Sequence, residues 1–285
     1  MLLVTGAGGG LSRLVLARLA GRADLVAGSR DPAQAPAGVT SRRVDFDDPA
    51  SLPDAFAGVG TLLLVSAGYG EDDVVIARHD AAISAAERAG VRHVVYTSLT
   101  AAGDHLAYAA AHRWTERRLR ESAVRWTVLR NGLYAELLGL LAAPGADGRI
   151  TAPLGGGRLA AVAREDLAEV AAKVAAEVAD GAAGHTGRAY ELVGERAIGG
   201  ADLARALTDA GAGPVRYEPG TLAEARAAVA ASGAQAFQVP MLVGTYAAVA
   251  GGFLDGTGGD LAGLLGRPGR SALDVVVRGA AAARS

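Results

Sequence analysis

A glycine-rich turn near the N-terminus constrains the fold of this chain more than any other feature. The apolar run 2–5 ends at Gly6, and a helix with apolar residues at helical spacing follows from Leu11. Glycines permit positive φ angles and close backbone approach, and a helix N-terminus presents free N–H groups at a positive dipole end. A tight turn alone would account for two of the glycines. The strand–turn–helix order predicts more, namely a dinucleotide phosphate cradle formed by Gly6, Gly8, Gly9, Gly10 and Leu11.

Strand and helix patterns alternate along the first half of the chain. The run 61–65 is uninterruptedly apolar, which is typical of a central strand buried on both faces. This alternation predicts an α/β fold, a doubly wound parallel sheet of the Rossmann type with helices on both faces. Further strands are predicted at 24–28, 40–45, 93–97 and 126–130, and helices at 49–56 (capped by Asp47 or Asp48), 72–89 and 108–122.

Beyond Asn131 the alternation stops. The stretch 144–157 is rich in Gly and Pro and is interpreted as irregular, and 251–269 is Gly-rich without a clear pattern. Helices are predicted at 164–178, 198–210 and 221–232, with a strand at 188–193. We therefore predict a Rossmann domain over 1–132, to which 160–194 returns, and a smaller, mainly helical substrate lobe over 133–285.

Composition argues against several classes of function. The net charge of the 285 residues is −2 and the arginines are scattered, so nucleic-acid binding has no basis. The absence of cysteine excludes disulfides and thiolate metal sites, and the histidines lack metal-ligand spacing, so no metal is expected. No apolar segment reaches the length of a membrane span. Because the chain begins in a predicted strand, we expect no signal peptide and a cytoplasmic protein, for which a homodimer is a possible assembly.

Small and polar residues stand where the predicted strands end, which is where a doubly wound sheet binds its ligands. The second strand ends in Ser29 and Arg30, without the acidic residue that would bind an unphosphorylated ribose. Because a guanidinium can bind a 2′-phosphate bidentately, Arg30 favours NADP(H) over NAD(H), although an exposed loop arginine is the alternative. Asp45 either accepts a hydrogen bond from the adenine amino group or caps the turn that follows. The other predicted cofactor contacts are Phe46, Ser66, Ala67, Gly68 and Thr97.

Short motifs spread over residues 1 to about 210 carry a family resemblance. They are Val4-Thr5-Gly6-Ala7-x-Gly9, Ser29-Arg30-Asp31-Pro32, Val95-Tyr96-Thr97-Ser98-Leu99, His112-x-x-Thr115-Glu116, Thr127-Val128-Leu129-Arg130-Asn131-Gly132-x-Tyr134, Arg164-x-Asp166-x-Ala168 and Tyr190-Glu191-Leu192. Together they resemble the NmrA-like atypical short-chain dehydrogenase/reductases, in particular the NAD(P)H:quinone oxidoreductase branch. The resemblance implies NADPH as cofactor and quinone-like substrates, in a group that also includes dinucleotide-sensing proteins. Ser12 stands where the family pattern has its third glycine.

The proton-donor system of the wider superfamily is incomplete in this chain. Typical members use a Ser after the fifth strand and a Tyr-x-x-x-Lys on the next helix. Here Ser98 and Tyr108 are present, but His112 takes the place of the lysine, and the single lysine of the chain is Lys173. Either His112 poises Tyr108 as a donor or contacts the ribose, or His112 is structural and fixes its helix against Tyr96 or the cofactor. Ser98, Tyr108 and His112 are the candidate catalytic residues.

The missing lysine favours quinone-like or polycyclic aromatic substrates. A reduced quinone is a stabilised hydroquinone anion that solvent can protonate, whereas an isolated ketone yields a basic alkoxide that depends on a donor. The sequence therefore predicts hydride transfer from NADPH to a small aromatic substrate. The alternatives are an oxidoreductase or oxygenase that tailors an aromatic polyketide, and a non-catalytic NADP(H)-sensing regulator. Predicted substrate contacts are Asn131, Tyr134, Phe237, Met241 and Tyr246, although core packing is the commoner explanation for each late aromatic residue.

Overall fold

The computed structural model describes residues 1–282, so the last three residues of the predicted 133–285 lobe lie outside it. Within this range the strands are β1 (Leu2–Val4), β2 (Leu25–Ser29), β3 (Thr40–Arg43), β4 (Thr61–Leu64), β5 (His93–Leu99), β6 (Arg125–Asn131), β7 (Arg149–Ile150), β8 (Arg188–Leu192) and β9 (Arg216–Tyr217). The helices are α1 (Gly10–Leu19), α2 (Leu52–Ala55), α3 (Asp72–Arg88), α4 (Ala109–Arg120), α5 (Ala135–Leu141), α6 (Arg164–Ala179), α7 (Gly200–Asp209), α8 (Leu222–Ala231), α9 (Gln238–Ala250), α10 (Leu261–Leu265) and α11 (Ala272–Ala282).

The first of two compact units is built around a seven-stranded sheet. It comprises Met1–Leu99, Ala110–Asn131 and Leu167–Tyr190. The strand order is β3-β2-β1-β4-β5-β6-β8, and every neighbouring pair from β3 to β6 is parallel. Since β1 lies between β2 and β4, the direction of winding reverses there, which creates the switch point at which such sheets bind ligands. The predicted Rossmann-type fold is confirmed.

Burial of apolar side chains on both faces holds this sheet in place. All residues of β1 and β4 are buried, as continuous apolar runs require in a covered parallel sheet. On one face α3 buries Val75, His79, Ala82 and Ile83, which recur at helical spacing. A single apolar cluster joins Ala82 and Ile83 of α3 to Phe56 and Tyr96. The His79 ring packs edge-on against the Tyr96 ring of this cluster, with the two centroids 5.4 Å apart. The core therefore places a histidine among apolar residues close to the carboxyl end of β4.

The second unit comprises Thr100–Ala109, Gly132–Asp166 and the described chain from Glu191 onward. It is mainly helical and contains the small parallel pair β7–β9. Asp166 is fully buried and accepts hydrogen bonds from the backbone N–H of Arg270 at 2.6 Å and from Arg267 at 3.0 Å. These bonds fix the start of α6 within the unit. Residues 100–109 belong here, and the domain boundaries 1–132 and 133–285 stay a prediction.

Most predicted elements agree with the structure to within two residues, but several were not predicted. The elements that were not predicted are helices α5, α9, α10 and α11 and the short strands β7 and β9. Asp48 is the N-cap residue at the start of the predicted helix 49–56, but its side chain makes no capping hydrogen bond and binds Arg43, while Asp47 binds Arg78. A 3₁₀ turn over Pro49–Ser51 precedes α2. Within residues 1–282 no helix has the length and apolar character needed to cross a membrane.

Candidate functional site

The glycine-rich turn joins β1 to α1 in a conformation that requires glycine. Gly6 has a φ of +68°, which L side chains rarely adopt, and the N–H of Gly9 donates to Gly6 O at 2.8 Å. Ser12, at the position of the family's third glycine, is buried and its hydroxyl donates to Thr5 O at 2.9 Å. Serine therefore ties the helix to the turn. The N-cap residue Gly9 has no side chain with which to cap the first amide groups of α1, which leaves them available to an anion.

The segment that follows β4 is held by three side chains from different elements. The consecutive N–H groups of residues 65–67 donate, in order, to Thr5 Oγ1, Thr97 Oγ1 and His79 Nε2, each at 3.0 Å. Thr5 directly follows β1 and Thr97 lies in β5, the two strands that flank β4, and His79 lies on α3. The predicted contact residues at 66–68 are half-buried or exposed at this edge. The structure thus brings Thr97 and the 66–68 segment together, and it adds His79, which was not predicted.

The ring of His79 has its tautomer determined by its neighbours. Its Nδ1 lies 2.8 Å from Thr115 Oγ1, and the Thr115 hydroxyl itself donates to Ala111 O at 2.7 Å. Nδ1 must therefore carry the proton, which leaves Nε2 as the acceptor for Ala67 N–H. Burial lowers the pKa of His79 to about 3, and the charges of His112 and Arg78 act in the same direction. The ring is neutral in the form that this geometry requires.

Arg30 is the exposed cation at the end of β2. Within residues 1–282 it forms no ion pair, whereas Arg43 binds Asp45 at 2.8 Å and Arg78 binds Asp47 at 2.7 Å. Asp45 also accepts from the N–H of Asp47 at 3.1 Å, so the turn-capping contact is present. The hydrogen bond from Arg78 lowers the pKa of Asp47, and the charge of Arg30 contributes to the shift. Phe46 packs against the apolar core cluster.

Ser98 faces a buried ion cluster. Its hydroxyl donates to Glu116 Oε1 at 2.7 Å, and Glu116 is fully buried. Three arginines bind the same carboxylate, with distances of 2.8 Å from Arg113, 3.0 Å from Arg120 and 2.6 Å from Arg130. Desolvation opposes ionisation of Glu116, but the hydrogen bonds from Arg130 and Ser98 and the arginine charges outweigh it, so the pKa is lowered. The Ser98 proton is directed to a carboxylate, and Glu116 is a residue that sequence reasoning missed.

His112 contacts Tyr96, as the structural interpretation expected. Its Nδ1 lies 2.8 Å from the Tyr96 hydroxyl, which joins α4 to β5. Burial lowers the pKa of His112 to about 4, with a contribution from the charge of Arg113. Burial also raises the pKa of the Tyr96 hydroxyl. His112 is therefore a neutral ring whose observed partner is a protein side chain.

Tyr108 belongs to the second unit, where its hydroxyl lies 3.4 Å from Thr245 Oγ1 on α9. The Thr245 hydroxyl donates to Met241 O at 2.9 Å, so the phenol is the donor to Thr245. Burial raises the pKa of Tyr108. The structure thus places the Tyr108 hydroxyl against α9, where its partner Thr245 was not predicted.

The remaining predicted substrate residues have different surroundings. Asn131 ends β6, is 6% exposed, and its Oδ1 has no hydrogen-bond partner among the described residues 1–282. Tyr134 precedes α5, with the Arg164 guanidinium 5.0 Å from its ring centroid. Tyr246 is buried and donates to Leu141 O at 2.8 Å, which is the packing role expected of a core residue. Phe237 and Met241 are half-buried.

Comparison with known proteins identifies the family. A model of the NAD(P)H-binding family matches residues 6–178, which include the glycine-rich turn. The chain belongs to the NAD(P)H-binding family. Quinone oxidoreductase 2 of Escherichia coli (strain K12) is 35% identical over 278 residues, which is 94% of each chain. The NAD(P)H azoreductase of Xenophilus azovorans is 30% identical over 239 residues, 82% of this chain and 80% of that protein.

A solved structure supports the same placement within the NAD(P)H-binding family. The NADPH-dependent quinone oxidoreductase of Escherichia coli in complex with NADPH matches with a TM-score of 0.87 and 33% identity, covering 98% of this chain and 99% of that chain. The resemblance to the NmrA-like atypical short-chain dehydrogenase/reductases, in their quinone oxidoreductase branch, is confirmed. Within residues 1–282 no group of three or more His, Asp or Glu side chains is arranged to hold a metal ion.

Proposed function

We propose that this protein is an NADPH-dependent oxidoreductase that reduces quinone-like aromatic substrates. The observation that carries the proposal is the start of α1, whose first amide groups have no side-chain cap and follow a turn that requires Gly6. A pyrophosphate supplies the anion that such a helix start favours. The names of the relatives, a quinone oxidoreductase and an azoreductase, support the substrate class.

The chain's own residues bind and orient the cofactor in this proposal. Gly6, Gly8, Gly9, Gly10 and Leu11 contact the pyrophosphate through their backbone, and Arg30 binds the 2′-phosphate. Asp45 and Phe46 flank the adenine, while Ser66, Ala67, Gly68 and Thr97 border the riboses. When bound, NADPH supplies a hydride. The balanced reaction is quinone plus NADPH plus one proton, giving hydroquinone and NADP⁺.

The proton need not come from Ser98 or His112. Ser98 donates to Glu116, and His112 has a lowered pKa and a protein partner, so both act as positioning residues in this proposal. Tyr108 is the candidate donor, because its phenol is protonated at neutral pH and burial raises its pKa further. Solvent can protonate a hydroquinone anion, so quinone reduction depends little on any donor. Tyr134, Phe237, Met241 and Tyr246 remain candidates for contact with an aromatic substrate.

The preference for NADP(H) is tested by Arg30→Ala. Loss of a charge-assisted, bidentate contact should raise the dissociation constant for NADPH about tenfold to a hundredfold, with the constant for NADH changed less than about twofold. Arg43→Ala is the matched control, because Arg43 is already bound by Asp45 and Asp48 and should not alter the preference. Equal losses for both cofactors with Arg30→Ala would contradict the 2′-phosphate role.

The activity is tested by anaerobic stopped-flow measurement of NADPH oxidation with a panel of quinones and azo dyes. We expect one hydroquinone formed for each NADPH oxidised. Tight cofactor binding without oxidation of NADPH by any acceptor would instead favour the sensing alternative. Oxygen consumption coupled to product formation would favour the tailoring oxygenase.

A further inference from the structure

A buried acceptor at the end of β6 has no partner in the described residues 1–282. The atom is Asn131 Oδ1, in a side chain that is 6% exposed. Buried side-chain oxygens in folded proteins are almost always hydrogen-bonded, because burial without a partner loses the bond to water. A buried acceptor left unpaired at a ligand-binding edge therefore indicates a ligand group that donates to it.

The sheet register places this atom on a defined face. Ser98 pairs with Arg130, and Leu99 pairs with Asn131, across β5 and β6. Ser98 and Arg130 both reach Glu116, so they point toward α4. Side chains alternate along a strand, so Asn131 points to the opposite face of the sheet, at its carboxyl edge.

The course of a bound dinucleotide follows from the order of the strands. The glycine-rich turn after β1 takes the pyrophosphate, and Arg30 after β2, which forms no ion pair within residues 1–282, takes the adenosine end. The other half of the molecule must then run over β4 and β5 toward β6. At usual strand spacing β6 lies about 14 Å from β1. This arrangement places the nicotinamide half, and not the adenosine half, beside Asn131.

The chemistry of Asn131 Oδ1 restricts its partner to a hydrogen-bond donor. A quinone has carbonyl oxygens, which only accept hydrogen bonds, so it cannot satisfy Asn131 Oδ1. The nicotinamide carboxamide has an NH₂ group with two donors. We propose that Asn131 Oδ1 accepts a hydrogen bond from this carboxamide and thereby fixes the rotation of the nicotinamide ring. The inference rests on the proposed binding of NADPH, and it assigns Asn131 to the cofactor instead of the substrate.

The test compares NADP⁺ with its 3-acetylpyridine analogue, in which a methyl group replaces the carboxamide NH₂. Dissociation constants are measured by isothermal titration calorimetry for the wild type, Asn131→Leu and Asn131→Asp. The wild type should bind NADP⁺ about tenfold more tightly than the analogue, the usual effect of one net hydrogen bond. Asn131→Leu, similar in volume but without an acceptor, should bind both equally. Asn131→Asp retains an acceptor and should retain the preference.

The adenosine fragment 2′,5′-ADP serves as the control for folding and for the other half of the site. Its affinity should be the same in the wild type and Asn131→Leu. If the wild type binds neither NADP⁺ nor NADPH, the proposed function itself fails. If it binds NADP⁺ and Asn131→Leu keeps the wild-type preference over the analogue, the function stands and the assignment of Asn131 is overturned.

Discussion

The Nε2 atom of His79 on α3 accepts a hydrogen bond from the backbone N–H of Ala67, the third residue after β4, at 3.0 Å. Nδ1–H of the same ring donates to Thr115 at 2.8 Å. A buried neutral imidazole thus joins two helices to the strand-end segment at the candidate cofactor edge. A lysine or arginine could not replace it, because the contact with Ala67 requires an acceptor.

Replacement of the His79 ring should lower both the free energy of unfolding and the affinity for NADPH. His79→Leu leaves the Ala67 N–H without an acceptor, so we expect a loss of roughly 1–3 kcal/mol in the free energy of unfolding. NADPH affinity should fall severalfold, because segment 65–67 loses one of its three anchors. His79→Gln, which keeps an acceptor oxygen, should recover part of both losses. Urea unfolding and fluorescence titration measure them, and unchanged NADPH affinity in His79→Leu would argue against the positioning role.

Buried neutral histidines should make the protein less stable in mild acid. Burial lowers the pKa of His79 to about 3 and those of His93 and His112 to about 4. Between these values and the unfolded value near 6.5, the unfolded chain binds more protons, so stability falls as pH decreases from about 7 toward 4. His79 alone accounts for a loss on the order of 2 kcal/mol at pH 5 relative to pH 8.

Urea unfolding at pH 5, 6, 7 and 8 measures this dependence. His93→Gln is the informative variant, because His93 begins β5 and bonds Thr127 at 2.8 Å, at the end of the strand opposite the candidate site. It should flatten the pH profile without altering NADPH affinity. Equal stability of the wild type at pH 5 and pH 8 would refute the prediction.

Loss of the buried Glu116 carboxylate should destabilise the protein far more than loss of the exposed Glu121 carboxylate, five residues along the chain. Glu116→Gln leaves Arg113, Arg120 and Arg130 without their shared anion, and we expect a destabilisation of about 3–5 kcal/mol. Glu121→Gln removes an exposed partner of Arg117 and should not shift the Tm measurably. Thermal unfolding of the two variants provides the comparison. Similar Tm values for both would mean that the buried cluster contributes no net stability.

Tyr108→Phe separates proton donation from hydride transfer. Because solvent can protonate a hydroquinone anion, kcat for quinones should change less than about threefold. The phenol donates only a 3.4 Å hydrogen bond to Thr245, so the fold should tolerate its removal. Steady-state rates with a benzoquinone, together with the Tm, decide the outcome. A hundredfold loss of kcat with an unchanged Tm would assign Tyr108 as an obligatory proton donor.

Local patterns in the sequence were sufficient to predict the Rossmann-type sheet. The apolar run 61–65, the glycines that follow β1 and the alternation of strand and helix periods depend on neighbouring residues only, and they predicted the parallel sheet. The same patterns failed for α9 and α11. The segment of α9 contains Pro240 and Gly244 amid nearly continuous apolar residues, which removes the helical period. Local chemistry also indicated Arg30 as a contact for the 2′-phosphate, because that prediction depends only on the residue type at the end of one strand.

The sequence by itself determined the Rossmann-type sheet, its ligand edge and the lack of a Tyr-x-x-x-Lys pair. Only the tertiary structure decided which side chains meet there. His79 reaches Ala67 across 12 residues, and Ser98 reaches Glu116 across 18. Such pairs depend on how helices pack on the sheet, which local periodicity does not encode. For the same reason only packing could show that Asn131 Oδ1 has no partner within residues 1–282, because that depends on the positions of all the groups around it.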